Sequence, residues 1–534
     1  MITLTKEQRK ILTKAKNGDN LFITGGGGVG KSFIVNYIVS DLRKKGKTVL
    51  VTASTGKAAM LIGGVTCHRA CQIPIKMTWL ADPSINTKSP LYEADVLLID
   101  EVSMLRIDAF EYIVKSVEKI NELRQTEEYR NDPGNAHLEP IQMIVVGDFC
   151  QLPPVIIHPT DGSPDEGAMM SDHYGFDVGE GFAFLAPGWK RSHFVMCELT
   201  EVLRQTDKPM IDALNGLRFG DRSALAYFKA NTRQKKFTAK DPGVVYLCGK
   251  NRTAERINHT ELTRLSGKEH KYYAECVGQV TEQDKQAPDL IRLKVGAHVI
   301  MLQNTDKYRN GSAGIVTATY NDSVSILIEE TGEEIDVPYT TWDIERYIVK
   351  ADFTGKKKVE KEKIGSFSQL PLRLGYAITI HKSQGQTYDR AAVILGSDDK
   401  KENAVSTHPE IFAYGQLYVA LSRVKSMDGL YIEGNLDLVK RLAAPEVLKF
   451  YNVSEKNKLP AKKEKRIVSS PRQEREKVEQ RHQKFIVLHC SKQSAAIARV
   501  FVQSLSDEAT IDGTEIRIPE KYKTQAEAFL KALP

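Results

Sequence analysis

The 534-residue sequence has few cysteines and no long apolar segment. Its seven cysteines are an odd number scattered along a long chain, which argues against a disulfide scaffold and favours a reducing compartment. No apolar run reaches the roughly 18 residues of a membrane-spanning helix, so a membrane is not an expected partner. The polar N-terminus contains acidic residues and is unlike a signal or transit peptide. We therefore expect a cytoplasmic protein.

The net charge is also small, because 75 Lys and Arg oppose 68 Asp and Glu to give +7. Residues 452–484 alone carry 11 basic and 5 acidic side chains, so most of the excess lies there and residues 1–451 are nearly neutral. Binding of a polyanion by residues 1–451 must therefore depend on locally placed cations. Residues 452–484 have few apolar side chains and predict a flexible or partly helical basic linker, which we interpret as an electrostatic tether.

One pair of cysteines is close in sequence, Cys67 and Cys71, with His68 between them. No second pair of ligands follows at metal-binding spacing, so a zinc site is disfavoured. Two core cysteines are the preferred interpretation.

Short apolar runs bounded by turn residues alternate with helical patterns over residues 1–150 and again from Phe194. Such runs are typical of buried parallel strands joined by crossover helices. The predicted fold class is therefore α/β. The strand candidates are LFIT at 21–24, VLVTA at 49–53, VLLID at 96–100, IQMIVVGD at 141–148, VVYLC at 244–248 and AAVIL at 391–395.

Three segments depart from this pattern. Residues 155–188 are rich in Gly, Pro, Asp and His and predict a long connection. Residues 306–370 contain short β-type runs separated by Asn-Asp and Thr-Gly turns, which predict a small β-barrel or sandwich insertion. Residues 485–534 return to regular periodicity and predict a small α+β unit whose role the sequence does not indicate.

The segment GGGGVGKS at 25–32 follows a strand candidate, precedes an amphipathic helix and fits G-x-x-x-x-G-K-[ST]. Its glycines let backbone N–H groups turn toward phosphate oxygens, and the helix N-terminus adds a positive dipole. Lys31 is expected to hold the β- and γ-phosphates and Ser32 to ligate Mg²⁺. A glycine-rich turn without nucleotide is the alternative, but it leaves Lys31 and Ser32 unexplained. The predicted ATP-binding residues here are Gly25, Gly26, Gly27, Gly28, Val29, Gly30, Lys31, Ser32 and Phe33.

Two further strand candidates lead into side chains that a phosphate-binding loop needs for ATP hydrolysis. The run VLLI leads into Asp100, expected to bind Mg²⁺ through water, and Glu101, expected to deprotonate the attacking water. That pairing favours hydrolysis over kinase chemistry, although a solvated strand end or a helix N-cap is an alternative. The run IVVGD leads into Gln151, whose amide can both donate to a γ-phosphate and orient water.

Together these motifs resemble the superfamily 1B helicases, specifically the Pif-one branch and its RecD-like relatives. The resemblance covers about residues 1–450, with its blocks in family order, and LNGLRFGD favours the Pif-one branch. The blocks are LTKEQRKIL at 4–12, TASTGKAA at 52–59, DEVSM at 100–104, GDFCQLPPV at 147–155, LTEVLRQ at 199–205, LNGLRFGD at 214–221, AITIHKSQGQT at 377–387 and LYVALSRVK at 417–425.

The resemblance implies two RecA-like P-loop NTPase domains with a small wedge insertion and an SH3-like β insertion. The small α+β C-terminal appendage lies outside it. The implied division is a first motor domain at 1–190 with its wedge at about 68–93, a second motor domain at 191–305 and 371–451, the SH3-like insertion at 306–370, the basic linker at 452–484 and the C-terminal unit at 485–534.

The resemblance also implies roles for single residues. Gln8 corresponds to an adenine-reading glutamine, Gly385 joins the ATP-binding set, and Arg204 and Arg423 reach the γ-phosphate from the second domain. With Lys31, Asp100, Glu101 and Gln151, these two arginines complete the expected catalytic set. The positions that contact a DNA strand are Thr55, Lys57, Thr66, His68, Thr379, His381 and Lys382, of which the two histidines are equally well explained as partly buried structural side chains.

The implied activity is ATP- and Mg²⁺-dependent 5′-to-3′ translocation on single-stranded DNA by a monomer from a bacterial or viral source. Fork or tailed duplex DNA is the expected substrate, and displacement loops and G-quadruplexes are further implied substrates, in replication, repair, recombination or telomere-type maintenance. Two alternatives remain open. An RNA translocase is one, because such strand contacts do not exclude a 2′-OH. A nucleotide-gated ATPase that binds nucleic acid without separating strands is the other.

Overall fold

The computed structural model describes residues 4–74, 78–132, 139–157, 165–202, 205, 207–234, 243–351, 357–396, 408–453, 485–489, 510–512 and 515–519. Arg204 and residues 454–484, which make up most of the expected basic linker, lie outside these described residues.

The first α/β domain begins with a helix whose N-terminus is closed by a capping box between Thr5 and Gln8. Its strands are almost wholly apolar, as expected for strands covered on both faces. The elements are α1 (Lys6–Lys16), β1 (Leu21–Gly25), α2 (Lys31–Lys44), β2 (Val49–Ala53), α3 (Gly56–Leu61), β3 (Val65–Thr66), α4 (Cys67–Ala70), β4 (Val96–Asp100), α5 (Ile107–Gln125), α6 (Glu127–Asn131), β5 (Gln142–Val146), α7 (Glu166–Tyr174), α8 (Pro187–Arg191) and β6 (Val195–Leu199).

These six strands form one parallel sheet in the order β3-β2-β4-β5-β1-β6. Strand β6 therefore belongs to the first domain, whereas the sequence began the second domain at residue 191. One face packs against α1 and α2, and the other packs against α5 and α8. Because β4, β5 and β1 are neighbours, their carboxyl ends bring Asp100, Asp148 and the glycine-rich loop to one edge of the sheet. Cys67 and Cys71 are buried in the core, in agreement with their interpretation as core cysteines.

The second α/β domain is formed by two separated parts of the chain. The first part contains α9 (Lys208–Arg218), α10 (Ser223–Asn231), β7 (Arg233–Gln234), β8 (Val245–Cys248) and α11 (Asn251–Arg264).

An antiparallel region interrupts this domain and has its own apolar core. Strands before residue 306 pair with strands after it in the same sheets, so the region extends from His270 to Leu374. The sequence placed the insertion at 306–370. The strands are β9 (His270–Tyr273), β10 (Glu275–Gly278), β11 (Leu290–Leu293), β12 (His298–Met301), β13 (Ala313–Thr319), β14 (Ser323–Ile328), β15 (Glu334–Pro338), β16 (Thr340–Ala351), β17 (Lys357–Gln369) and β18 (Leu372–Leu374).

The second domain resumes after β18. It contains β19 (Ala377–Thr379), α12 (Ile380–Ser383), β20 (Ala391–Gly396), α13 (Gln416–Leu421), β21 (Leu430–Gly434) and α14 (Pro445–Phe450). A parallel sheet in the order β19-β8-β20-β21-β7 joins the two parts and carries an apolar core on each face.

The antiparallel region also contacts the segment in which the sequence placed a wedge, residues 68–93. Arg69 donates to both carboxylate oxygens of Asp284, at 3.0 and 2.9 Å. Lys357 lies 3.3 Å from Glu93. In its described part, this segment contains α4 and a short 3₁₀ helix at Thr78–Leu80, but no strand after Thr66.

The C-terminal unit is described only in part. Three strands, β22 (Phe485–His489), β23 (Thr510–Asp512) and β24 (Glu515–Pro519), pair antiparallel in the order β22-β24-β23. The helical part of the predicted α+β unit falls outside the described residues. Among the helices that are described anywhere in the chain, none is both long and apolar enough to cross a membrane.

Candidate active site and nucleic-acid interface

The glycine-rich loop joins β1 to α2 with a backbone conformation that residues with a Cβ atom rarely adopt. Gly25 and Gly30 have φ values of 147° and 84°. A Cβ atom on Gly25 would lie 2.4 Å from the carbonyl oxygen of Leu199, so no larger residue fits there. Lys31 Nζ donates to the carbonyl oxygens of Gly25 and Gly26, at 2.8 and 2.9 Å, and therefore folds back over the loop.

The side chains at the end of this loop face different surroundings. Val29 is buried, and Phe33 packs partly buried against the core beside α1 and α2. Ser32, in the first turn of α2, is exposed. The hydroxyl of Ser32 is therefore accessible to a ligand, whereas Val29 and Phe33 fix the loop and its helix to the core.

The carboxylates of Asp100, Glu101 and Asp148 lie at or just after the carboxyl ends of β4 and β5. Burial and the neighbouring charge of Glu101 raise the pKa of Asp100 to about 7. Burial also raises the pKa of Glu101, and the backbone of this residue is in the left-handed region, with φ at 51°. Such a conformation is strained for a residue other than glycine and is often found at functional sites. Burial lowers the pKa of Lys31, and Asp148 and Glu101 oppose this shift.

The donor set at this edge fits a hard divalent cation. The Ser32 hydroxyl and the Asp100 carboxylate supply oxygen donors of the kind that Mg²⁺ prefers. Among the described residues, no group of three or more His, Cys, Asp or Glu side chains is arranged to hold a metal ion by itself. A Mg²⁺ ion bound by these two residues would therefore take its remaining ligands from phosphate oxygens and water.

Residues of the second domain lie directly against the loop. The hydroxyl of Tyr418, on α13, accepts a hydrogen bond from the backbone N–H of Gly27 at 2.8 Å. Arg423 follows α13, is 2% exposed, and places Nη2 3.5 Å from the position that a Cβ would take on Gly27. The guanidinium also donates to the Val419 carbonyl at 2.8 Å. Arg423 is thus next to the glycine-rich loop, whereas Arg204 lies outside the described residues.

A hydrogen-bond network crosses the cleft between the two domains. Gln384 Nε2 donates to Glu101 Oε2 at 3.1 Å and to Gln151 Oε1 at 3.2 Å. Gln151 Nε2 in turn donates to Asp148 at 3.3 Å. Arg218 donates to both oxygens of Asp148, at 3.1 and 3.2 Å. The network therefore connects the expected base and the expected phosphate sensor to both domains.

Sequence reasoning did not assign Gln384, Tyr418 or Arg218 to the cleft. All three lie inside blocks that carry the resemblance, and their polar side chains are buried. A search for polar residues within those blocks would have found them. Gly385, which the resemblance did assign, follows Gln384 with a φ of 78°.

Gln8 takes part in the cap of α1. Its Oε1 atom accepts a hydrogen bond from the backbone N–H of Thr5 at 3.0 Å. This bond occupies one of the two lone pairs of Oε1 and leaves the Nε2 amide group to donate.

A cavity of about 860 Å³ lies between the two α/β domains and the antiparallel region. Its lining includes Lys57, Thr379 and Lys382, which were expected to contact DNA, and Arg373, which was not. Lys57 Nζ donates to the carbonyl oxygen of Lys382 at 2.8 Å and so joins the two domains.

Three cations of the lining, Lys57, Lys382 and Arg373, influence one another, whereas a fourth, Lys285, is paired with Glu282 and Asp289. Burial and the positive charges of Arg373, Arg423 and Lys382 lower the pKa of Lys57 to about 7. Burial, followed by the charge of Arg373, lowers the pKa of Lys382. A bound anion would relieve this repulsion, so the lining favours a phosphate ligand.

The three threonines expected to contact DNA have the same local role. Each is the N-cap of a short helix after a strand, and its Oγ1 accepts from a backbone N–H three residues ahead. Each hydroxyl hydrogen remains available to donate to a phosphate. The residues are Thr55 before α3, Thr66 before α4 and Thr379 before α12.

The two histidines are partly buried. Burial lowers the pKa of both His68 and His381, which favours their neutral forms. The ring of His381 stacks on Phe412 with 6.5 Å between the ring centroids. These surroundings fit the structural alternative as well as a contact to DNA.

With this geometry established, comparisons with known proteins identify the family. The PIF1-like helicase family model matches residues 3–172. The ATP-dependent DNA helicase Pif1 of Psychrobacter sp. is 30% identical over 496 residues, which cover 82% of this chain and 69% of that protein. The chain belongs to the PIF1-like helicase family. The human ATP-dependent DNA helicase PIF1 is 31% identical over 471 residues, which cover 84% of this chain. The chain spans 63% of the length of the human protein and 65% of the Xenopus laevis and Danio rerio proteins.

Solved Pif1 structures agree with the architecture. Bacteroides sp. Pif1 in complex with ADP-AlF4 superposes with a TM-score of 0.68 at 29% identity, covering 85% of this chain and 97% of that one. Bacteroides Pif1 helicase in complex with ADP-AlF3 and ssDNA gives a TM-score of 0.56 at 29% identity, covering 86% and 98%. The fold class predicted from the sequence, α/β with two RecA-like domains, is confirmed.

Proposed function

We propose that this protein is an ATP- and Mg²⁺-dependent DNA helicase that translocates on single-stranded DNA and separates duplex strands. The observation that carries the proposal is that both α/β domains supply side chains to one nucleotide cleft. Arg423 lies against the loop at Gly27, and Gln384 bonds to Glu101. Hydrolysis in a cleft that joins two domains can change their relative position, and alternate grip on a strand converts that change into steps.

In the cleft, the backbone N–H groups of residues 25–32 bind phosphate oxygens, and Lys31 leaves its carbonyl partners to hold the β- and γ-phosphates. Ser32 and Asp100 hold Mg²⁺, which when bound neutralises charge on the phosphates. Glu101 takes a proton from the attacking water, and Gln151 orients that water.

Arginines of the second domain complete this site. Arg423 stabilises the negative charge that develops on the γ-phosphoryl group. Arg204 is proposed as the second such arginine. Since Arg423 belongs to the second domain, hydrolysis requires that the cleft be closed.

In the cavity, Lys57, Lys382 and Arg373 pair with the phosphates of a single strand, and Thr379 donates to a phosphate oxygen. Thr55 and Thr66 do not line this cavity and are proposed as contacts to the same strand outside it. Contacts of this kind hold a strand without reading its sequence. The complex of Bacteroides Pif1 with ssDNA supports a DNA ligand.

The finer features of the function are also proposals. Family resemblance supports 5′-to-3′ direction and action on displacement loops and G-quadruplexes, in replication, repair, recombination or telomere-type maintenance. A fork substrate is supported by a structure of forked dsDNA unwound by two coordinating Pif1 helicases. For this chain we propose that a monomer is sufficient.

The decisive variant for the cleft is Lys31→Ala. We expect ssDNA-stimulated ATP hydrolysis to fall by about 100-fold or more, because the charge that stabilises the transferring phosphoryl group is lost. Lys44→Ala, at an exposed position of the same helix, is the matched control and should hydrolyse ATP normally. Retention of DNA-stimulated hydrolysis by Lys31→Ala would refute the proposal. Stimulation by RNA and DNA oligonucleotides of one sequence, measured side by side, decides between DNA and RNA.

A further inference from the structure

Gln384 is a buried glutamine whose hydrogen bonds differ from those of a structural one. Gln369, in the antiparallel region, donates to three backbone carbonyls, and its Oε1 accepts from the N–H of Leu370. Gln384 instead donates to two side chains of the other domain, Glu101 and Gln151. Its Oε1 atom, although buried, has no hydrogen-bond partner in the part of the chain that the structure describes. Most buried polar atoms in proteins have a hydrogen-bond partner, so an unsatisfied one in the cleft calls for an explanation.

Gln384 is also close in sequence to the cavity that we assign to DNA. It follows α12, a single helical turn that begins at the cap residue Thr379 and contains Lys382. Thr379 and Lys382 line the cavity, and the Lys382 carbonyl accepts from Lys57 of the first domain. Only Ser383 separates Lys382 from Gln384, so a displacement of the Lys382 backbone also shifts Gln384.

The bonds of Gln384 to Glu101 and Gln151, and its position directly after α12, connect the nucleotide cleft with the cavity. We propose that Gln384 is a positioning residue that makes the base Glu101 competent when DNA occupies the cavity. DNA phosphates fix α12, and the Gln384 amide then holds the Glu101 carboxylate toward the attacking water. As the water oxygen bonds to the γ-phosphorus, its proton passes to Glu101 and the bond to the departing ADP oxygen breaks. The inference rests on the proposed function.

The test uses the full-length protein and two variants of similar size. Gln384→Met removes both hydrogen bonds, and Gln384→Glu replaces the donor by an acceptor that faces Glu101. Gln279→Met, at an exposed position of the antiparallel region, is the control. The measurements are ATP hydrolysis with and without oligo-dT, the KM for ATP, and the anisotropy of a labelled oligo-dT.

For both Gln384 variants we expect kcat with oligo-dT to fall by about 10- to 100-fold, the scale of a lost hydrogen bond to a charged group. The KM for ATP and the Kd for oligo-dT should change by less than about twofold, because ground-state binding does not use this amide. Basal hydrolysis should fall less, so that the ratio of stimulated to basal rate approaches one. Gln279→Met should behave as wild type.

Other results would overturn the inference. Equal loss of basal and stimulated rates with an unchanged ratio would show a structural role. Weakened binding at unchanged kcat would show a ligand-binding role, and full activity of Gln384→Glu would show that the donor is not needed. Wild-type protein without any stimulation by oligo-dT would refute the proposed function and this inference together, whereas stimulation that persists in the variants would refute the inference alone.

Discussion

The nucleotide cleft and the neighbouring cavity are built in different ways. In the cleft, charges of opposite sign are in contact, as where Arg218 bonds to both oxygens of Asp148, and single atoms from both domains have fixed partners. In the cavity, Lys57, Lys382 and Arg373 repel one another. The cleft is suited to chemistry that depends on the position of each atom, whereas the cavity is suited to a polyanion held by the sum of several weaker contacts. Loss of one side chain in the cleft should therefore lower ATP hydrolysis far more than loss of one side chain in the cavity lowers the affinity for ssDNA.

The largest expected effect is on the cleft, from Arg423→Ala. We expect ATP hydrolysis with ssDNA to fall by about 1,000-fold, because an arginine in this role contributes 10³–10⁵ in related phosphoryl transfer. The affinity for ssDNA should change little. Arg252→Ala, an exposed arginine of the same domain, is the control in a steady-state ATPase assay. Hydrolysis within about tenfold of wild type would mean that Arg423 does not act on the phosphoryl group.

A smaller effect is expected in the cavity from the titration of Lys57. Its pKa is lowered to about 7 in the free protein, and a bound phosphate favours the protonated amine. Affinity for ssDNA should therefore fall as the pH rises from about 7 to 8.5, by at most about tenfold per pH unit for one proton. This range lies above the titration of His68 and His381, whose pKa values are lowered.

The proton itself can be measured. Calorimetric titration of ssDNA at pH 8 in two buffers of different ionisation enthalpy should show uptake of up to about one proton. In Lys57→Met the uptake and the pH dependence should both disappear, while basal ATP hydrolysis persists. The same pH dependence in Lys57→Met would assign it to another group.

The smallest expected effect concerns neither site. Removal of residues 452–534 deletes the segment that carries most of the net charge, so binding of ssDNA at low salt should weaken by about 3- to 10-fold with a flatter salt dependence. Basal ATP hydrolysis should be unaffected. If the affinity at low salt is unchanged by the deletion, the linker is not an electrostatic tether.

The sequence predicted the parts of the cleft that are local in the chain. Lys31 and Ser32 follow from the spacing of one loop, and Asp100 and Glu101 follow from the end of one apolar strand. Gln384 was not assigned, since its contact with Glu101 joins residues 283 positions apart and depends on how the two domains close. Such contacts leave no periodic pattern in the sequence.

Two further features could not be decided from the sequence. Strands β9 and β10, HKYY and ECVG, are short and lack an apolar alternation, so the sequence analysis placed the start of the antiparallel region at residue 306 and not at His270. The sequence also assigns no role to Phe149, because an aromatic side chain can either stack on a base or pack in a core. The structure buries it in an aromatic cluster, where its ring centroid lies 4.8 Å from that of Phe184.

The most direct test of the central claim is strand separation on tailed duplexes with ATP and Mg²⁺. One duplex carries only a 5′ single-stranded tail and the other only a 3′ tail, with Lys31→Ala as the inactive control. We expect the wild-type protein to separate the 5′-tailed duplex in an ATP-dependent reaction and to leave the 3′-tailed duplex largely intact. DNA-stimulated ATP hydrolysis without strand separation on either duplex would contradict the helicase function, and a preference for the 3′ tail would contradict the proposed direction.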